Sequence, residues 1–134
     1  MKDFHFDAIS AFENYEIEQM RDGHVVVTTK VVDSSLNYYG NAHGGYLFTL
    51  CDQISGLVVM SLGLDGVTLQ SSINYLKAGK LDDVLTIKGE CVHQGRTTCV
   101  VDVDITNQEG RNVCKATFTM FVTGQRSEDR QVRI

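Results

Sequence analysis

The chain has 134 residues, 43% hydrophobic and 22% charged, with no proline and no tryptophan. That is the size of one ordinary domain able to bury its own core. A net charge of −5 and the absence of any Lys/Arg block argue against a nucleic-acid footprint.

The opening residues, MKDFHFDAIS, carry charges where a secretion leader needs an apolar stretch, so no leader is expected. Residues 3–20 place Phe4, Ala8, Ala11, Phe12 and Tyr15 near helical spacing. This predicts a weak helix in a peripheral segment, 1–22, broken by Gly23. HVVVTTKVV, 24–32, is β-branched and reads as a strand. DSSLNYYGNA, 33–42, has loop composition.

From Gly45 to Leu62, residues Leu47, Leu50, Ile54, Leu57 and Val58 share one stripe, and Phe48, Cys51, Val59 and Met60 fill much of the rest. That predicts a buried helix. Asp52, Gln53 and glycines interrupt its apolar run, so no membrane span is expected. Asp65-Gly66 reads as a turn. Four strands follow, over 67–79, 83–95, 97–107 and 112–123, with hairpin turns at Gln94-Gly95-Arg96 and Glu109-Gly110-Arg111. Alternation such as Cys99, Val101, Val103 and Ile105 against Asp102 and Asp104 gives each strand one packed face and one solvated face, the mark of an antiparallel sheet. Residues 124–134 read as a polar, frayed tail. The fold class is α+β in a single domain, 1–134: one long helix wrapped by a curved sheet of about five strands. Cys51, Cys91, Cys99 and Cys114 form no CxxC pair and read as reduced, buried thiols of a cytoplasmic protein.

Asp52 is the one charged residue between Gly44 and Leu64. A buried, unpaired carboxylate is costly, so Asp52 needs a partner on a neighbouring strand, the surface, or an opening. Upstream, His43-Gly44-Gly45 stands at the helix start, where free N–H groups and the helix dipole favour negative charge. Glycines there let a ligand approach the backbone, as an oxyanion hole requires.

The pattern Asn37-x5-His43-Gly44-Gly45-x6-Asp52 resembles the active-site motif of the hotdog-fold acyl-CoA thioesterases. The branch is the one holding the phenylacetate-pathway enzymes and the human acyl-CoA thioesterase thirteen-type proteins. GVTLQSSINYLKAGK is similar to that family's strand after the helix, and HQGRTTCVVDVDITNQEGRNVCKATFTMFV to its last two strands. The likeness runs from about residue 24 to 123. It implies hydrolysis of an acyl-CoA to a free acid and CoA, with no cofactor and no metal. It implies Asp52 as general base or nucleophile, Gly44 as the N–H donor to the thioester carbonyl, and Asn37 as a water-placing side chain. It also implies His43 beside the oxyanion donor and Thr68 assisting the carboxylate. Substrate binding falls to Gly45, Gly95, Arg96, Thr97, Lys77 and Lys80, with Arg96 the foremost phosphate partner. Two features depart from the family pattern: Lys77 stands where relatives commonly have proline, and the helix-to-strand connection looks short.

Gly44 and Asp52 are eight residues apart, about 12 Å along a helix and about 80° apart in direction. One chain cannot easily bring both to one carbonyl, whereas two antiparallel helices across a two-fold axis can. The expected minimal unit is therefore a homodimer, with a tetramer as the expected assembly and no nucleic-acid or membrane partner. A non-catalytic acyl-CoA binder on the same fold is the alternative. A hotdog hydratase is disfavoured, because its closely spaced Asp/His pair is missing. There is no GxSxG, no HExxH, and no metal cluster among His5, His24, His43 and His93. A groove lined by Tyr46, Phe48, Met60 and Tyr75 would suit medium, long or aryl acyl groups.

Overall fold

The computed structural model describes residues 4–127. It contains β1 (Glu16–Arg21), β2 (His24–Lys30), a 3-10 turn (Asp33–Ser35), α1 (Gly44–Ser61), β3 (Leu64–Tyr75), β4 (Val84–Gln94), β5 (Thr98–Thr106) and β6 (Asn112–Gln125). The strands form one sheet in the order β1-β2-β4-β5-β6-β3, with every neighbouring pair antiparallel. The inward alternating residues of the central strands, among them Leu85, Ile87, Val101, Ile105 and Phe118, are buried against Leu47, Leu50, Ile54 and Val58 of α1. Gly89 marks the closest approach: a Cβ there would lie 2.8 Å from both Ile54 Cγ2 and Val58 Cγ2. The helix thus rests directly on β4. This is the hotdog arrangement, with six strands in place of about five.

The sixth strand is the main correction. Residues 4–15 form no helix, and 16–21 pair with β2 as β1. The decisive signal is Asp22-Gly23, whose φ angles of 42° and 87° close a two-residue hairpin. The segment before β1 is tied down by polar bonds that compete with helix formation. Asn14 Oδ1 accepts from Lys30 N–H at 2.8 Å, and Ser10 N–H donates to the Ser34 carbonyl at 3.0 Å.

Asp65-Gly66 is not a turn. Both residues lie within β3, and the chain reverses at Gly63 (φ 77°), just after the helix ends. Gly124 and Gln125, expected in the tail, pair with Asp65 and Leu64, extending β6. Residues 128–134 of that tail, and 1–3 of the N-terminal segment, lie outside the described residues. Nor is α1 covered all round. Gly45, Thr49, Asp52, Gly56 and Met60 share an outward stripe that is exposed at Gly45 and half-buried at the other four.

Candidate active site

The site grows from the start of α1. His43 is its N-cap, with extended backbone (φ −65°, ψ 137°), and its Nδ1 accepts from Gly45 N–H at 2.9 Å. That bond fixes the imidazole with its proton on Nε2. The Leu47 N–H bonds back to the His43 carbonyl at 3.0 Å. The Gly44 N–H is left without an acceptor among the described residues, at the positive end of the helix dipole. On its other side, the Gly44 carbonyl accepts from the Tyr75 hydroxyl at 2.9 Å. Tyr75 enters the sequence reading only as a groove residue. Its link to Gly44 spans 31 positions and depends on where β3 crosses the helix start.

Asn37 organises the preceding loop. Its Oδ1 accepts from Tyr39 N–H at 3.0 Å and Asn41 N–H at 3.1 Å, so this oxygen serves the backbone. The side-chain NH₂ has no partner among the described residues and remains free to donate. The loop joins the helix start through a His43 N–H bond to the Ser35 carbonyl at 2.8 Å.

Asp52 finds the partner that burial arguments demand. The Thr68 hydroxyl, on β3, donates to Asp52 Oδ1 at 2.9 Å. This brings two predicted site residues together and aims the carboxylate at the β3 flank of the helix. Asp52 is only half-buried, on the outward stripe. No hydrogen bond joins it to Asn37, His43 or Gly44.

The predicted binding residues divide into two groups. Lys77 and Gly44 line one concavity of ≈ 300 Å³, together with Tyr75 and Asn41. Lys80 Nζ donates to Asn41 Oδ1 at 2.6 Å on the rim of the same region. Gly95, Arg96 and Thr97 form the β4–β5 turn instead, with Gly95 N–H donating to the Thr98 carbonyl at 2.8 Å. Register carries that turn towards the Thr68 end of β3: Thr98 pairs with Phe121, and Phe121 with Val67. Arg96 is exposed.

Two expectations change. Tyr46 lines no groove; it is 2% exposed in the core, its hydroxyl has no partner among the described residues, and burial pushes its pKa up to about 12. The cysteines are free thiols, but Cys91 is only half-buried. Burial pushes Cys51 and Cys114 upward, Cys114 to about 12, so neither is poised as a nucleophile. No group of three or more His, Cys, Asp or Glu stands ready for a metal among the described residues. No helix there is long and apolar enough to cross a membrane.

A family model described as the thioesterase superfamily matches residues 39–114, which hold Gly44, Asp52 and Thr68. The chain belongs to the thioesterase superfamily. This thioesterase is 36% identical over 107 residues to the acyl-coenzyme A thioesterase PaaI of Escherichia coli (strain K12), spanning 80% of this chain and 76% of that one. Among solved structures it is similar to a hypothetical thioesterase from Streptococcus pneumoniae TIGR4, crystallised with coenzyme A. The two are 97% identical with a TM-score of 0.91, over 92% of this chain and 100% of that one. It also matches a Streptococcus mutans UA159 protein bound to acetyl CoA, at 67% identity and a TM-score of 0.85, over 92% and 100% of the two chains. The thioesterase is a thioester hydrolase.

Proposed function

We propose that the enzyme hydrolyses acyl-CoA thioesters to a free acid and CoA, at a site completed by two copies of the chain. The observation that carries this reading is the Thr68–Asp52 hydrogen bond, 2.9 Å long, on the helix whose first N–H is unoccupied. Gly44 N–H receives the thioester oxygen and stabilises the charge that develops there. Asp52 takes a proton from a water that attacks the carbonyl carbon. The tetrahedral intermediate collapses, the C–S bond breaks, and the CoA sulfur leaves with the proton held by Asp52. Thr68 holds the carboxylate in its rotamer. The Asn37 NH₂ donates to the water.

Two features support the dimer. The roughly 12 Å between Gly44 and Asp52 is too long for one carbonyl to bridge. β3 is a twelve-residue edge strand with Val67, Leu69 and Tyr75 exposed, an edge that natural sheets cover or pair. Pairing β3 antiparallel with its copy sets the Thr68 end of one chain beside the Tyr75 end of the other. Asp52 and the Gly95–Thr97 turn of one protomer then serve Gly44, Lys77 and Lys80 of its partner. Two such dimers would make the expected tetramer. Four free thiols and the acidic composition suit the reducing cytoplasm.

Thiol release from a panel of acyl-CoAs, followed with a thiol reagent, tests the activity; no release from any member overturns it. Single turnover in heavy-oxygen water tests the role of Asp52. A general base leaves Asp52 unlabelled, so label found in Asp52 establishes a carboxylate nucleophile whose anhydride is opened by water at the Asp52 carbonyl.

A further inference from the structure

Gly44 and Gly45 open α1, and the reaction proposed above needs the Gly44 N–H aimed at one point in space. Two successive glycines are a poor backbone for that task, because glycine loses the most conformational freedom on entering a helix. We propose that Tyr75 is a positioning residue for the reaction: from β3 it holds the peptide that follows Gly44, so that the Gly44 N–H is aimed before the substrate arrives. The inference rests on the function proposed above and concerns a residue to which that reading gives no role.

Two observations carry it. The first is how the backbone is held on each side of Gly44. Before it, the His43 carbonyl accepts from Leu47 N–H at 3.0 Å. After it, the Gly44–Gly45 peptide is held at both ends. Its carbonyl accepts from the Tyr75 hydroxyl at 2.9 Å, and its N–H donates to His43 Nδ1 at 2.9 Å. The Thr49 hydroxyl adds a bond to the Gly45 carbonyl at 2.8 Å. A residue has only two soft dihedrals, so fixing the peptides on both sides of Gly44 fixes the direction of its N–H. Of these holding groups only Tyr75 belongs to another element. Its ring also stands over the glycine: a Cβ on Gly44 would lie 3.4 Å from Tyr75 Cζ. Desolvation raises the Tyr75 pKa above its ordinary value, which keeps the hydroxyl a donor at neutral pH.

The second observation is a bulge that lets one strand hold both halves of the chemistry. Thr68 and Tyr75 are seven positions apart on β3, an odd step that sends side chains to opposite faces of a regular strand. Here both reach the helix, Thr68 at Asp52 and Tyr75 at Gly44. The pairing with β6 shows how. Thr68 pairs with Met120 and Gln70 with Thr119, so Leu69 is an extra residue, and Tyr75 then pairs with Cys114. Met120 and Cys114 are both buried, on the face that meets α1. Ser72 and Asn74 turn the other way and line a concavity with Asp102 and Asp104 on the outer face. Without the bulge, either Thr68 or Tyr75 would point outward with them.

The test is Tyr75→Phe, which keeps the ring and removes the hydroxyl, measured on protein of the same oligomeric state as the wild type. On an acyl-CoA that the wild type hydrolyses, kcat should fall about tenfold while KM stays within about twofold, because an aimed donor matters most once charge develops on the oxygen. A pair of inhibitors reads the aim without turnover. One is a CoA trifluoromethyl ketone with a CH₂ in place of the thioester sulfur, whose hydrate imitates the tetrahedral intermediate. The other is an S-alkyl-CoA, which has no carbonyl. Tyr75→Phe should weaken the ketone about tenfold and leave the thioether unchanged. An unchanged kcat, or equal weakening of both inhibitors, overturns the positioning role. So does a rise in KM at constant kcat, which would make Tyr75 a substrate contact. Those outcomes leave the proposed function standing. A wild type that hydrolyses no acyl-CoA sinks the proposed function and this inference with it.

Discussion

The two ends of β3 offer opposite chemistry. At the Tyr75 end stand hydrogen-bond donors and cations: the open Gly44 N–H, the Tyr75 hydroxyl, Lys77 and Lys80. At the Thr68 end stands a carboxylate, Asp52, held by a threonine, with Arg96 on the turn two strands away. Seven residues of strand separate Thr68 from Tyr75, about 23 Å when extended. Under the proposed mechanism each end alone is half of a hydrolytic site: donors without a base, or a base without donors. Under the proposed dimer, an antiparallel edge pairing would juxtapose the unlike ends twice, which is what the separation leads one to test.

The largest expected effect comes from removing the carboxylate proposed as the base. Asp52→Asn keeps the shape and the Thr68 contact but cannot take a proton. The expected loss in kcat is about 100-fold or more, with the thermal midpoint near that of the wild type. Near-normal turnover would take Asp52 out of the chemistry.

A cross between the ends is the next test. Asn37→Ala damages the donor end, Asp52→Asn the carboxylate end. In a mixed dimer one site collects both lesions and the other neither. Random pairing makes half the dimers mixed, so about a quarter of wild-type sites should return. Differently tagged copies establish that mixed dimers form. If they form and activity stays at the level of the single mutants, both ends act within one chain and the comparison fails.

The clearest parts of this arrangement in the sequence are those set by local composition. One charge in an apolar run marks Asp52, and alternation marks β4, β5 and β6. Two Asp-Gly pairs show where local reading stops. Asp22-Gly23 closes a hairpin, with both residues at positive φ. Asp65-Gly66 is strand: a Cβ on Gly66 would lie 2.9 Å from the Phe121 carbonyl oxygen, so glycine is required there for close approach and not for reversal. Identical dipeptides thus part ways over what packs against them, which no local window contains. The bond from Tyr75 to Gly44 is hidden for the same reason, being fixed by strand register. No local pattern marks Thr68, to which likeness to the family alone points; its hydroxyl donates to Asp52 Oδ1 at 2.9 Å, a contact set by where β3 crosses the helix.

Thr68→Ala weakens the carboxylate end without removing it. A hydrogen bond to a charged group contributes about 1.5–3 kcal/mol, and solvent restores part of that at a half-open site. The expected fall in kcat is about tenfold, with Thr68→Ser recovering most of it because the hydroxyl returns. A fall of the same size in Thr68→Ser would mean that packing of the methyl group, and not the bond to Asp52, is what matters.

The smallest effect probes the turn that accompanies the carboxylate. Arg96 is exposed, so a phosphate contact there is screened and contributes about 1 kcal/mol or less, roughly fivefold at most. Arg96→Ala should raise KM for an acyl-CoA by about that factor and leave kcat near the wild-type value, since the nucleotide is far from the reacting carbonyl. On an acyl thioester of N-acetylcysteamine, which has no nucleotide, the same substitution should leave KM unchanged. The contrast matters because Arg96 lies at the carboxylate end of its own chain, while Lys77 and Lys80 lie at the donor end. If one CoA spans both sets across the dimer, raising the salt concentration should increase KM for the acyl-CoA and leave the short thioester unaffected. Equal KM changes on the two substrates would make Arg96 a structural part of the β4–β5 turn and leave the phosphates to the lysines.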